Sequence, residues 1–336
     1  MKVAVVGAGS WGTALANVLA QNQNEVFLWA RRIELAKSIS ELKENKDYLP
    51  GAKLSETMRV SSDLEEALFQ ADMVIMAVPS HTMSETARRV AKYLRETAVV
   101  VSASKGIEVE TFRRMSQILE DELPRGCSKR VAVLSGPSHA EEVVKGIPTL
   151  IVAASRNKPV AEKVQDAFMN SYFRVYTNPD VVGVELGGAL KNIIGLCSGI
   201  VEGLGFGDNS RAALMTRGIV EITRLAVKLG AESATLSGLA GIGDLIVTCS
   251  SLHSRNRRAG VQIGEGKKLK DILSSTNMVV EGVNTTKAAY HMAKRLNIEM
   301  PITQQAYYVL FEQKDPREAV LSLMTRKGKH EIEDLQ

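Results

Sequence analysis

Residues 2–12 read KVAVVGAGSWG, and the placement of three glycines in that stretch decides the fold. Val3 to Val6 read as a short apolar strand, Gly7 and Gly9 as a tight turn, and Ser10 to Gly12 as the entry to a helix. Gly7-x-Gly9-x-x-Gly12 is the spacing of a dinucleotide-binding turn. The first glycine permits the sharp turn, the second lets the backbone approach a pyrophosphate, and the third lets the helix pack close on the strand. The helix N-terminus then offers N–H groups and a partial positive charge to phosphates. Glycine triplets also arise by chance, so a strand-to-helix turn without a ligand fits the same residues. The strand before it and the helix after it favour the nucleotide.

Outward from that turn, Glu25 to Ala30 (EVFLWA) is a second strand, ending at Arg31-Arg32. These arginines stand about 20 residues past the last glycine, where the adenosine ribose is expected and where an NAD site usually places an acid on the 2′-hydroxyl. Two arginines would attract a 2′-phosphate and leave a free 2′-hydroxyl without its acceptor. NADPH is therefore expected over NADH, with NADH still possible. The alternative is that Arg31 and Arg32 only start the next helix, Ile33 to Lys43, on a solvated face.

Further apolar runs follow at Met58–Val60, Asp72–Val78, Ala98–Ser102, Val131–Leu134, Thr149–Ala154 and Arg174–Thr177. Several are too short for helices and suit buried parallel strands. Helical patterns lie between them at Leu64–Phe69 and Thr82–Leu94. Alternation over about 180 residues predicts an α/β, doubly wound, Rossmann-type sheet. Pro79-Ser80, Lys105 and Gly136-Pro137-Ser138 fall just past strand ends, the edge where such sheets bind ligands.

From Asp180 the period becomes helical, with Asp180 a candidate N-cap. The predicted division is a dinucleotide-binding domain over residues 1–179 and an all-α substrate-binding and catalytic domain over 180–336. Helices are predicted at Val181–Gly203, Arg211–Lys228, Asn256–Ile263, Thr285–Leu296, Ile302–Phe311 and Pro316–Met324, with a polar, frayed tail from Thr325 to Gln336. The longest apolar stretch, Val181 to Leu204, carries Glu185, Lys191, Asn192 and Glu202, so it reads as a buried helix and not a membrane span.

The 336 residues carry a net charge of +4 and 45% hydrophobic residues. That suffices for sizeable cores and excludes a strong field for nucleic acid or membrane. The excess of base suits a phosphorylated small molecule. Cys127, Cys197 and Cys249 are scattered, which fits free thiols in a reducing cytosol. The chain opens on a strand, so no signal peptide is expected. His81, His139, His253, His291 and His330 form no pair at ligand spacing, and no metal is expected.

Three sites in the second half carry chemistry. Lys191 sits in ELGGALKNIIG, among small and apolar residues. A lysine there is expensive to bury unless paired or used, and burial would bring its pKa toward neutrality, suiting proton exchange with a carbonyl or hydroxyl oxygen. It also reads as a lysine snorkelling from a helix whose glycines allow close packing. In LAGIGDLIVT, Asp244 and Thr248 are four apart and share a helical face, Asp244 to orient Lys191 and Thr248 to donate to a substrate oxygen. Asp244 also reads as an N-cap after a glycine-rich loop. Ser254-Arg255-Asn256-Arg257-Arg258 at a helix start combines donors, dipole and charge into an anion site, or else is a surface basic run.

Ten stretches in order, GAGSWG, WARR, NKDYLPG, AVPS, SASKGIE, SGPSHAEEV, ELGGALKN, GLAGIGDLIVTC, SRNRRAG and VVEGVNTTK, resemble the bacterial NAD(P)-dependent glycerol-3-phosphate dehydrogenases along the whole chain. The resemblance implies reversible reduction of dihydroxyacetone phosphate to sn-glycerol 3-phosphate, supplying glycerophospholipid synthesis. It implies cofactor contacts at Ser10, Trp11, Arg31, Arg32, Lys105, Ala140, Arg255, Val279 and Glu281, beside Gly7, Gly9 and Gly12. Substrate contacts are implied at Lys105, Gly136, Ser138, Lys191, Asp244, Ser254, Arg255 and Asn256. Lys191 is the implied proton donor and acceptor, with Asn192 and Thr248 as helpers. A cytoplasmic homodimer joined through the helical domain is implied as well. Two other readings stay open: a reductase of the same plan acting on a hydroxy acid, and a non-catalytic NADPH sensor.

Overall fold

The computed structural model describes residues 1–276 and 278–331. Residues 332–336 of the tail lie outside the described residues, and Thr325 to Glu331 contain neither helix nor strand. One eight-stranded sheet runs β1 (Lys2–Val6), β2 (Glu25–Trp29), β3 (Arg59–Ser61), β4 (Met73–Met76), β5 (Val99–Ser102), β6 (Val131–Ser135), β7 (Thr149–Ala154) and β8 (Phe173–Asn178) in sequence. Its spatial order is β3-β2-β1-β4-β5-β6-β7-β8.

The central strands are apolar without polar alternation because both of their faces are covered. Val3, Val5, Leu28, Met73, Ile75 and Val101 pack against Ala14, Leu15, Val18 and Leu19 of the helix Ser10–Gln21. Ala4, Val6, Phe27, Val74, Met76 and Val100 point the other way, onto Met83, Ala87 and Val90 of Met83–Ala91 and Ile118 and Leu119 of Met115–Glu122. The period of two along each strand thus feeds two separate cores. Chain order reverses between β1 and β4, the switch point where such sheets bind ligands at the carboxyl ends of their strands.

The sheet is mixed and not wholly parallel: β7 runs antiparallel to β6. The connection between them holds a single helical turn, Ala140–Val143, and no helix long enough to carry the chain back across the sheet. The next connection does contain one, Lys158–Phe168, and β8 is parallel to β7. That helix and Met115–Glu122 were not among the predicted elements. Val160, Ala161, Val164, Ala167 and Phe168 form its buried stripe, a pattern visible in the sequence but short. The strand predicted at Met58–Val60 lies one residue later, at Arg59–Ser61, and the helix predicted from Thr82 opens as a 3-10 turn over Ser80–Thr82.

The chain divides into two compact units. One holds Met1–Lys105 and Arg114–Val184; the other holds Gly106–Arg113 and the chain from Glu185. The second is helical, with its longest helices at Val181–Gly203, Asp208–Lys228, Glu281–Leu296 and Pro301–Phe311. The Asp180 carboxylate accepts from the Gly183 N–H at 2.8 Å and caps the first of these. By length and composition Val181–Gly203 could cross a membrane, yet 94% of its most apolar window is buried inside the protein, as in a core helix.

Candidate active site

In the helical unit, Gly187, Lys191, Gly195, Gly199 and Gly203 recur every four residues along Val181–Gly203, one stripe of a helix. The glycines bring backbones into contact. A Cβ at Gly199 would lie 2.0 Å from the Arg257 carbonyl oxygen, and one at Gly260 would lie 2.0 Å from that of Leu196. A Cβ at Gly195 would lie 2.6 Å from Thr248 Cγ2. The helices Asp244–Ser250 and Arg255–Gly264 are thereby held against the face that carries Lys191.

Lys191 is buried, and its Nζ donates to Asp244 Oδ1 and, at 2.7 Å, to Thr248 Oγ1. Asp244 and Thr248 lie one turn apart on the short helix, so both reach the same ammonium. The N-cap position of that helix is Gly243, not Asp244; the carboxylate is engaged by Lys191. The reason is geometric: a single π-helical turn, Leu239–Gly243, feeds the helix and leaves Asp244 already in helical conformation. The pairing of Asp244 with Lys191 expected from the sequence is present, and Thr248, expected to donate to a substrate oxygen, accepts from the ammonium here.

A second chain of bonds starts one residue on. Asn256 Nδ2 donates to Asn192 Oδ1 at 2.9 Å, and Asn256 Oδ1 accepts from Gly282 N at 2.8 Å. This ties the start of Arg255–Gly264 to the start of Glu281–Leu296, and with it Glu281 and the preceding loop residue Val279. Ser254 is the N-cap, its hydroxyl accepting from Arg257 N at 3.2 Å, and Arg255 is the exposed first helical residue. Arg257 turns inward to an ion pair with Glu202 at 2.7 Å, so the basic run divides into an outward Arg255 and a structural Arg257.

In the sheet unit, Gly7 takes φ +117, and a Cβ there would meet the Ala77 carbonyl oxygen at 2.5 Å. A Cβ on Gly12 would fall 1.9 Å from the Gly7 carbonyl oxygen, so only glycine lets the helix approach. Around Gly9 there is nothing within 4 Å of the same position. The helix Ser10–Gln21 has no side-chain cap, and the Trp11 Nε1 is buried without a partner. An open second glycine, an uncapped helix start and an orphaned donor fit a dinucleotide whose pyrophosphate rests on the turn. Lys105 Nζ donates to the Gly136 carbonyl at 2.9 Å and to Ser138 Oγ at 3.4 Å, which gathers three predicted residues past β5 and β6; Ala140 opens the short helix that follows.

Arg31 and Arg32 are exposed past β2, and Arg32 occupies the N-cap position of Ile33–Leu42. The sequence reading missed what surrounds them. Asn45 is fully buried and donates to the Ala8 carbonyl at 3.0 Å and to Thr13 Oγ1 at 2.8 Å. Ser10 Oγ donates to the Tyr48 carbonyl at 2.7 Å. The NKDYLPG loop is therefore clasped to the glycine turn, and Asp47 in that loop pairs with Arg32 at 2.7 Å. Nothing local in the sequence marks these long-range bonds.

Comparison with known proteins follows the same division. The family profile described as NAD-dependent glycerol-3-phosphate dehydrogenase N-terminus matches residues 2–161, and that of the C-terminus matches residues 180–321. The glycerol-3-phosphate dehydrogenase (NAD(P)+) of Bacillus subtilis strain 168 is 54% identical over 334 residues, covering 99% of this chain and 97% of its own. The protein of the same name from Pelotomaculum thermopropionicum is 55% identical, covering 99% and 96%. A crystal structure of glycerol-3-phosphate dehydrogenase from Coxiella burnetii superposes with a TM-score of 0.92 at 37% identity, covering 96% of this chain and 98% of that one.

Proposed function

The chain belongs to the NAD-dependent glycerol-3-phosphate dehydrogenase family, and from that membership we infer that it catalyses the reversible NAD(P)H-dependent reduction of dihydroxyacetone phosphate to sn-glycerol 3-phosphate. The observation that carries the chemistry is the buried Lys191 ammonium between Asp244 and Thr248. We assign the dinucleotide-binding domain to residues 1–179 and the domain with most substrate contacts and the proton transfer to residues 180–336.

When bound, the nicotinamide supplies the hydride. The remaining tasks fall to side chains of this chain. Lys191 donates a hydrogen bond to the C2 carbonyl oxygen of the substrate and gives up a proton as that oxygen becomes an alkoxide; in the oxidative direction it takes the proton back. Asp244 holds the ammonium in place and balances its charge, and Thr248 fixes a second of its three donors. A full positive charge aimed at the developing oxyanion from a buried site is the largest contribution the protein makes. Asn192, fixed by Asn256, aligns the substrate beside it. Arg255, Ser254 and Asn256 take the phosphate at a helix N-terminus, where charge and dipole act together. We propose Lys105, Gly136 and Ser138 as further substrate contacts. Gly7, Gly9, Ser10, Trp11 and Gly12 cradle the cofactor, Arg31 and Arg32 favour a 2′-phosphate, and Lys105, Ala140, Arg255, Val279 and Glu281 complete its contacts.

We further propose a homodimer working in the cytosol, where its product would enter glycerophospholipid synthesis. The three buried free thiols suit a reducing compartment. Light scattering on the purified protein tests the dimer. The assay for the reaction is loss of nicotinamide absorbance with NADPH and dihydroxyacetone phosphate. Absence of turnover with that substrate, beside turnover with a 2-keto acid, would overturn the reading.

A further inference from the structure

We propose that Asp47 is a specificity-determining residue that lets one arginine serve both cofactors: it accepts the ribose 2′-hydroxyl of NADH and yields Arg32 to the 2′-phosphate of NADPH. The inference rests on the reading of Arg32 as a 2′-phosphate partner. It starts from a mismatch. The chain carries arginines where an NAD site places its acid, yet the names of its Bacillus subtilis and Pelotomaculum relatives cover both cofactors. The fold supplies the missing acid from elsewhere. Asp47 Oδ2 accepts from Arg32 Nη2 at 2.7 Å, which leaves the second carboxylate oxygen, Oδ1, as an acceptor.

The carboxylate is held in register with the glycine turn. Asn45, two residues before it, is bonded to Ala8 and Thr13, and Tyr48, one residue after it, is bonded through its carbonyl to Ser10. The Tyr48 ring centroid lies 5.9 Å from the Arg32 guanidinium. Any cofactor seated on Gly7 to Gly12 therefore meets Asp47 and Arg32 as a fixed pair at the carboxyl end of β2.

The pair is also easy to exchange. Its side chains are 51% and 53% exposed, so solvent screens it and its net stabilisation is small. A 2′-phosphate carries close to two negative charges and three acceptor oxygens against one charge on Asp47, so it wins the guanidinium. A 2′-hydroxyl carries no charge and cannot displace the carboxylate. It can donate to it.

The test uses two probes that need no turnover. Adenosine 2′,5′-bisphosphate and AMP are titrated calorimetrically into the cofactor-free wild type and the Asp47→Ala, Asp47→Asn and Arg32→Ala variants, and KM is measured for NADPH and NADH. Removing the Asp47 charge is expected to tighten the bisphosphate about two- to fivefold, the range of an exposed ion pair. Asp47→Ala also weakens AMP and raises the KM for NADH, and Arg32→Ala abolishes the preference for the bisphosphate. If both Asp47 variants leave the ratio of the two affinities unchanged while Arg32→Ala lowers it, Asp47 has no such role and the arginine reading survives. If Arg32→Ala leaves the ratio unchanged, that reading fails and the proposal with it. Equal weakening of both probes in the Asp47 variants would mark a loop-holding residue only and overturn the proposal.

Discussion

Lys191 and Asp244, 53 positions apart in the chain, form an ion pair whose side chains are 8% and 1% exposed. Removing two charges from water is expensive, and their mutual attraction offsets that only in part, so stability alone is a weak reason for such a pair. Under the proposed mechanism the pair keeps a buried proton donor charged and aimed. The Lys191→Gln variant keeps a donor for Asp244 but has no proton to give. Its kcat is expected to fall about 100- to 10,000-fold, with the affinity for NADPH unchanged. Steady-state kinetics beside a fluorescence titration of the cofactor checks this; near-normal kcat would remove Lys191 from the mechanism.

Arg255 is exposed at the first position of its helix, while Arg257 is committed to Glu202. Of these two, Arg255 is the exposed one and Arg257 the buried one, so the proposed phosphate contact falls to Arg255. Arg255→Ala is expected to raise the KM for dihydroxyacetone phosphate roughly tenfold to a hundredfold, the worth of one charge-assisted hydrogen bond. Unphosphorylated dihydroxyacetone should be used equally poorly by both forms. A parallel loss on the unphosphorylated compound would argue against a phosphate contact.

Gly199 touches backbone, and backbone cannot rotate away. An alanine Cβ there would sit 2.0 Å from the Arg257 carbonyl oxygen, so the two helices must separate. Overpacking of this kind destabilises by about 1–3 kcal/mol. Lys191 and Asn256 stand on the two helices, so kcat should fall together with the urea midpoint. An unchanged midpoint would show that the helices have slack at this crossing.

Glu221 is buried and accepts from Ile302 N at 2.6 Å and from Thr303 N and Oγ1, both at 3.1 Å. Burial pushes its carboxyl up to about 7, against the downward pull of those hydrogen bonds. A carboxyl raised in the folded state binds its proton more tightly there than in the unfolded chain. The folded state is therefore most favoured below the unfolded value of 4.5 and loses that advantage as pH rises through about 7. The loss amounts to about 3 kcal/mol across that window. Chemical denaturation at pH 5 and pH 8 should show a smaller difference in Glu221→Gln than in the wild type. Equal slopes would mean that the carboxylate is already ionised at pH 5.

All three cysteines are buried, and burial raises each thiol: Cys249 to about 12, Cys197 further still, and Cys127 upward as well. Thiolates are the reactive form, so none is available at neutral pH. Iodoacetamide at pH 7.5 should leave the native protein unlabelled and label all three residues in denaturant, read by intact mass. A single rapid addition to the native protein would reveal an opening that exposes one of them.

The local patterns were legible wherever one element suffices to create them. The glycine spacing of residues 7–12 predicted the turn, and the contacts a Cβ would make at Gly7 and Gly12 explain why. The spacing of Asp244 and Thr248 predicted a shared face, and both reach Lys191. The apolar runs located all eight strands to within a few residues. Short amphipathic helices such as Met115–Glu122 escaped because few of their residues are apolar.

The kind of element that most segments form was legible in the chain alone, since side-chain periodicity and glycine sterics act over a few neighbouring positions. How the polar side chains pair became visible only in the folded chain. Whether Asp244 caps a helix or balances a lysine, whether Arg257 faces a phosphate or Glu202, and whether Arg32 stands alone or against Asp47 depend on contacts between residues 15 to 55 positions apart. Close packing of glycine-lined helices and a clasped loop create those contacts, and no local pattern in the chain encodes them.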